Sequence, residues 1–306
     1  MHLTTARLAR RAALGAVCAA TLVAAVVVPS LAASAKAPSR ALHLRPVVAG
    51  SGYLALGDSV TFGYRESDTT PPPDYNAAAG FVGYPQYVGA AVGLHVTNPA
   101  CSGETSGSLI DAAARSNGCE HTASGGPGYR SADPLHVHYS GSQLAFAIRF
   151  LKTHPDTRLV SLMIGANDAF ICEATTSDRC VREFPALLSS IEHNVTTILT
   201  AIRSRAGYHG QIVILNYYTG DYSTAAGTTA VKGLNFAQDT AARPFGVEIA
   251  NGYGAFRLAS VHSGNNACTA GLLTMLTGAK KGTCGVHPSV AGQTVLAQAV
   301  DEAIKK

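Results

Sequence analysis

The sequence predicts an α/β domain of three layers, with helices on both faces of a central, mostly parallel sheet. Short apolar runs of strand length alternate with longer stretches of helical periodicity. That alternation marks β-α-β units, whose crossover helices cover both faces of a parallel sheet. The size fits: 306 residues at 47% hydrophobic can bury one sizeable core without a second domain.

Taken in order, Tyr53-Leu54-Ala55-Leu56 reads as the first strand and 85–93 as the first helix. A second strand is expected over 94–97, a helix over 142–153, and a third strand over 159–164. A helix over 183–206 leads to a fourth strand at Gln211-Ile212-Val213-Ile214-Leu215. A helix over 228–242, a weaker strand over 246–250 and a last helix over 289–304 complete the pattern. Three long loops interrupt it, at 66–80, 118–141 and 251–285. Loops of this length are often lids or walls of a site, and as often decoration. In open parallel sheets, ligands gather at the carboxyl ends of the strands.

The first 35 residues read as an export signal. Arg7, Arg10 and Arg11 form a basic start, Ala12 to Val28 is apolar, and Ala33-Ser34-Ala35 is a small-residue cleavage site. A retained membrane anchor is the alternative, and the short apolar stretch and the cleavage site argue against it. Arg10-Arg11 leaves Sec and twin-arginine export both open. Residues 36–50 read as a linker, and 51–306 as the folded domain. Without the signal, 20 basic residues face 19 acidic ones with no basic run, so the charge gives no reason to expect nucleic-acid binding. The expected protein is secreted, unanchored and monomeric.

Six cysteines remain after the signal: 101, 119, 172, 180, 268 and 284. An even count in an exported chain points to disulfides. About fifteen pairings are possible, and the spacing into local pairs favours 101–119, 172–180 and 268–284. No C-x-x-C spacing exists, and His136-Val137-His138 is the only close histidine pair, so zinc is not expected. There is no Walker A loop, no Gly-x-Gly-x-x-Gly and no His-Glu-x-x-His, so no cofactor or metal is expected. The absence of Gly-x-Ser-x-Gly disfavours a nucleophile elbow.

Four short segments lie at the ends of predicted elements. They are Gly57-Asp58-Ser59-Val60, Ala100-Cys101-Ser102-Gly103, Gly165-Ala166-Asn167-Asp168 and Gly285-Val286-His287-Pro288. Singly each is weak, since Ser in a turn is usually a cap and Gly-x-Asn-Asp usually a turn. Together and in this order they resemble the SGNH (GDSL-type) hydrolase family of esterases and lipases, over most of residues 52–306. The resemblance implies a flavodoxin-like α/β/α fold and ester hydrolysis. Ser59 would attack the carbonyl and His287 would take its proton. The backbone N–H groups of Ser59 and Gly103 and the side-chain amide of Asn167 would hold the oxyanion.

The family usually places Asp three residues before the histidine, where this chain has Cys284; Gly285 follows it. The resemblance then implies the Ser–His dyad of some secreted members, in which a backbone carbonyl holds the imidazole. Cys284, pinned by its disulfide, is the expected source, with Asp221 or Asp239 as rivals. Asp58 and Asp168 are expected to hold loops through backbone N–H groups. Tyr217, Tyr218 and Tyr222 line an acyl pocket or pack at a loop base. The sequon at Asn194 is assigned no role. Three functions stand open: a secreted esterase or lipase acting on small-molecule or lipid esters, a carbohydrate-ester deacetylase, and a binding protein that has lost catalysis.

Overall fold

The computed structural model describes residues 44–122, 124–278 and 283–306. The expected signal, and residues 36–43 of the expected linker, lie outside the described residues. The elements run β1 (Gly52–Gly57), α1 (Ser59–Phe62), α2 (Tyr84–Val92), β2 (His95–Thr97), α3 (Ser106–Ile110), α4 (Tyr129–Ala132) and α5 (Gln143–Thr153). They continue with β3 (Thr157–Met163), α6 (Ala166–Thr175), α7 (Phe184–Thr200), β4 (Gln211–Leu215), α8 (Ala225–Ala242) and β5 (Glu248–Ala250). The chain ends with α9 (Gly252–Ser260), β6 (Leu273–Met275), β7 (Cys284–Pro288) and α10 (Val290–Ala303).

Strands β2-β1-β3-β4-β5 form one sheet in that order, every pairing parallel. This is the flavodoxin-like order, with its switch point between β1 and β3. All residues of β1 and β4 are buried, because helices cover both faces of the sheet. On one side α7 packs against α8, α3 and α6; α10 packs against α2 and α9. Between the strands, the Tyr53 and Tyr84 hydroxyls meet Ser161 Oγ at 2.7 and 3.0 Å.

The five sheet strands and the main helices fall where the sequence places them. Helix α7 continues as a wider π turn over Ala201–Arg205. Other elements were not expected, among them the short helices α1, α3 and α4. Helix α6 grows from what reads as a turn, and α9 from a glycine-rich start capped by the Asn251 side chain on the Gly254 N–H. The loop at 251–285 contains a small antiparallel pair, β6–β7. The disulfides are 101–119, 172–180 and 268–284, with Cα–Cα distances of 5.7, 5.2 and 5.7 Å.

Candidate active site

The four segments converge at the carboxyl ends of β1 and β3. Ser59 opens α1 directly after β1, with 8% of its surface exposed. The turn before it needs glycine. Gly57 has φ +151°, and a Cβ there would lie 2.3 Å from Thr61 Oγ1 and 2.4 Å from the Met163 carbonyl. Gln143 clamps this peptide from both sides, accepting from the Gly57 N–H at 2.7 Å and donating to its carbonyl at 3.0 Å. Asp58 caps α1, accepting from the Val60 N–H at 3.0 Å and from the Tyr217 hydroxyl. Burial pushes the Asp58 carboxyl up to about 6, and those two donors oppose the shift.

His287 comes from β7. Its Nε2 lies 2.9 Å from Ser59 Oγ, and its Nδ1 lies 2.8 Å from Glu66 Oε1. The expectation that the Cys284 carbonyl holds the imidazole is therefore corrected: a carboxylate from the first long loop occupies that place. Asp221 instead accepts from the Ser223 N–H at 2.8 Å, and neither it nor Asp239 bonds the imidazole. Cys284 pairs with Met275 across β6–β7 and bonds Cys268, so it braces the strand that carries His287.

Glu66 is tied on both oxygens. Oε1 also accepts from the Val286 N–H at 3.0 Å, and Oε2 accepts from the Thr274 hydroxyl. Burial works to raise its pKa, but the hydrogen bond and charge of His287, with Thr274, outweigh burial and bring it down to about 2. A carboxylate only accepts, so Nδ1 carries the proton and Nε2 presents a lone pair to Ser59. The sequence carried one hint of this acid. A Cβ on Gly285 would lie 2.0 Å from Glu66 Oε1, so the missing side chain is what admits the carboxylate.

Gly103 lies in the loop after β2, and Asn167 lies at the start of α6 after β3. Gly103 has φ +82°, and a Cβ there would lie 2.4 Å from the Asn117 carbonyl. Among the described residues the Ser59 and Gly103 N–H groups make no hydrogen bond. Asn167 opens α6; its Nδ2 donates to the Glu104 carbonyl at 2.9 Å and its Oδ1 accepts from Asn117 Nδ2 at 2.8 Å. Those partners fix which end of the amide is nitrogen and leave one N–H over. Asp168 accepts from Ser106 N at 2.8 Å and from Ser106 Oγ at 2.6 Å. The sequon residue Asn194 donates to the same Ser106 Oγ at 2.9 Å, so its amide serves the interior.

Tyr218 donates to the Val286 carbonyl at 2.7 Å and stacks on Phe256. The peptide before His287 is thus held on both sides, its N–H by Glu66 and its carbonyl by Tyr218. The Tyr64 ring meets the imidazole edge-on, with centroids 4.8 Å apart. A cavity of about 520 Å³ opens on Ser59, Asn167 and His287 and extends between α6, α7 and α8.

A serine hydroxyl on an imidazole and the imidazole on a carboxylate form the hydrogen-bonded triad of a serine hydrolase on an α/β/α scaffold. The model of the GDSL-like lipase/acylhydrolase family matches residues 55–295, and the chain belongs to that family. It is a carboxylic ester hydrolase. No curated protein matches it in sequence. Solved structures share the fold. A putative GDSL-like lipase from Parabacteroides merdae is 16% identical, covering 86% of this chain and 97% of its own, with a TM-score of 0.50. An acetylxylan esterase from Geobacillus stearothermophilus is 19% identical, covering 85% and 96%, also at 0.50. A lipase from a goat rumen metagenome is 15% identical, covering 83% and 97%, again at 0.50.

Proposed function

We propose that the protein is a secreted serine esterase or lipase that cleaves carboxylic esters through Ser59, His287 and Glu66. The observation that carries this reading is the unbroken line of hydrogen bonds from Ser59 Oγ through the imidazole to the Glu66 carboxylate. His287 Nε2 takes the Ser59 proton as Oγ attacks the ester carbon. The oxyanion is held by the Ser59 and Gly103 N–H groups and by the remaining Asn167 N–H. The imidazolium then gives its proton to the leaving alcohol, and the acyl group stays on Ser59. Water attacks the acyl-enzyme by the same route in reverse and releases the acid. Glu66 holds Nδ1–H and offsets the imidazolium charge, the role that the Cys284 carbonyl could serve only as a neutral dipole.

Three disulfides suit an oxidising compartment and support export through the signal read in residues 1–35. A monomer follows as the simplest state of such a domain. Ester hydrolysis is tested with p-nitrophenyl esters from acetate to palmitate, on the disulfide-bonded chain lacking residues 1–35. Wild-type turnover with background rates in Ser59→Ala and His287→Ala is expected. Turnover that survives in Ser59→Ala would remove Ser59 from the mechanism.

A further inference from the structure

We infer that the cleft between α6, α7 and α8 is the acyl arm of the active site, and that the substrate is a neutral ester of an aliphatic acid longer than acetate. This rests on the serine-esterase reading above and names its substrate class.

The cleft begins at the catalytic groups and becomes apolar at once. Gly165, two residues before Asn167, has φ +122°, and a Cβ there would stand 3.0 Å from Leu234 and 3.2 Å from Ile191. Its bare backbone lets the start of α6 settle onto those two side chains, so an apolar floor starts beside the Asn167 amide. Further out the walls are Phe170, Phe184, Leu187, Leu188 and Val231. Gly233 draws this end together, since a Cβ there would lie 3.1 Å from both Phe184 and Leu188. The 172–180 disulfide ties the end of α6 to the segment leading into α7, so this wall is braced.

The charges of the cleft set the substrate's charge. No lysine or arginine among the described residues lines it. Its acids are Asp58, Glu173 and Asp221, and each is engaged: Asp58 by Tyr217 and Val60, Glu173 by Arg179, Asp221 by Ser223. An anionic acyl group would meet these acids and no lining lysine or arginine, and a buried charge without a partner is costly. The mouth is apolar as well, with Phe170 43% and Val286 55% exposed. An alkyl chain covers these groups, whereas an acetyl group leaves most of the cleft to water.

Each buried methylene is worth about 0.8 kcal/mol, so selectivity should climb with chain length until the arm is filled. The test compares kcat/KM for p-nitrophenyl acetate, butyrate, octanoate and palmitate. The octanoate-to-acetate ratio is expected at about 10 or above. Leu234→Trp, at the floor, and Val231→Trp, on the half-exposed wall, are each expected to lower that ratio by about tenfold. Acetate as the best substrate of a Ser59-dependent enzyme overturns the inference and leaves ester hydrolysis standing. An unchanged ratio in both folded variants overturns it too. Calorimetry on Ser59→Ala needs no turnover: methyl octyl ketone should bind more tightly than acetone, and equal binding overturns the inference whatever the catalytic result.

Discussion

Glu66 reaches His287 across 221 residues of chain, and that long-range contact replaces the acid missing three positions before the histidine. Glu66→Gln keeps the size and removes the charge. It is expected to lower kcat by about 10²–10⁴ with little change in KM, because the loss falls on the imidazolium. Gly285→Ala should act through the same bond, since its Cβ would take the space of Glu66 Oε1. The double variant should then be no slower than the worse single one, a non-additivity that a double-mutant cycle measures. The pH dependence follows from the lowered Glu66 pKa. Its folded value is about 2 against an ordinary 4.5, so its stabilising effect is complete above 4.5 and is lost as pH falls through 2. Glu66 therefore stays ionised at ordinary assay pH. A kcat at neutral pH that stays at the wild-type level in Glu66→Gln would contradict this role.

At the scale of elements, the site depends on how β7 is held. Glu66 and Tyr218 grip the Val286 peptide from its two sides, and the Cys268–Cys284 bond fixes the start of the strand. Replacing both cysteines by alanine is expected to cost about 2–5 kcal/mol of stability, read as a lower melting temperature. Tyr218→Phe should lower kcat with KM held, since it releases the Val286 carbonyl. Helix α1 depends on a different pair. Asp58 is raised from an ordinary 3.8 to about 6, so folding favours its protonated form, and stability is lost as pH rises from 3.8 through 6. Tyr217→Phe removes a donor to the carboxylate and should depress the melting temperature more at pH about 8 than at pH about 5. Strands β1, β3 and β4 were legible because burial on both faces gives each an apolar run, over 53–56, 159–164 and 212–215, broken only by Ser161. The β6–β7 pair was not, because it has few residues and its partners include a disulfide and a loop. Helix α6 was hidden because its first residues are the Ala166-Asn167-Asp168 of a catalytic segment, which reads as a turn.

At the scale of the whole molecule, the alternation of apolar runs and amphipathic helices carried the α/β/α layering, whereas the flavodoxin-like strand order β2-β1-β3-β4-β5 was implied only by the family resemblance. The roles of Ser59, Gly103, Asn167 and His287 came from the resemblance of their four segments to the family, and of these the structure sets Ser59 Oγ 2.9 Å from His287 Nε2. Glu66 was not legible, because its partner is set by the packing of a long loop against β7 and by the bare Gly285. The proposed export is tested on the whole chain. Expressed in a secreting bacterial host, the mature protein should begin after Ala35 and show no free thiol. A mature protein that retains residues 1–35 at the membrane would favour an anchor.

The most direct test of the proposed mechanism is labelling of the disulfide-bonded protein with a fluorophosphonate, followed by peptide mass spectrometry. A single adduct on Ser59 is expected, absent in Ser59→Ala and formed more slowly in Glu66→Gln. A folded wild-type protein that takes no adduct, or takes it on another serine, would contradict the assignment of Ser59, His287 and Glu66 as one catalytic unit.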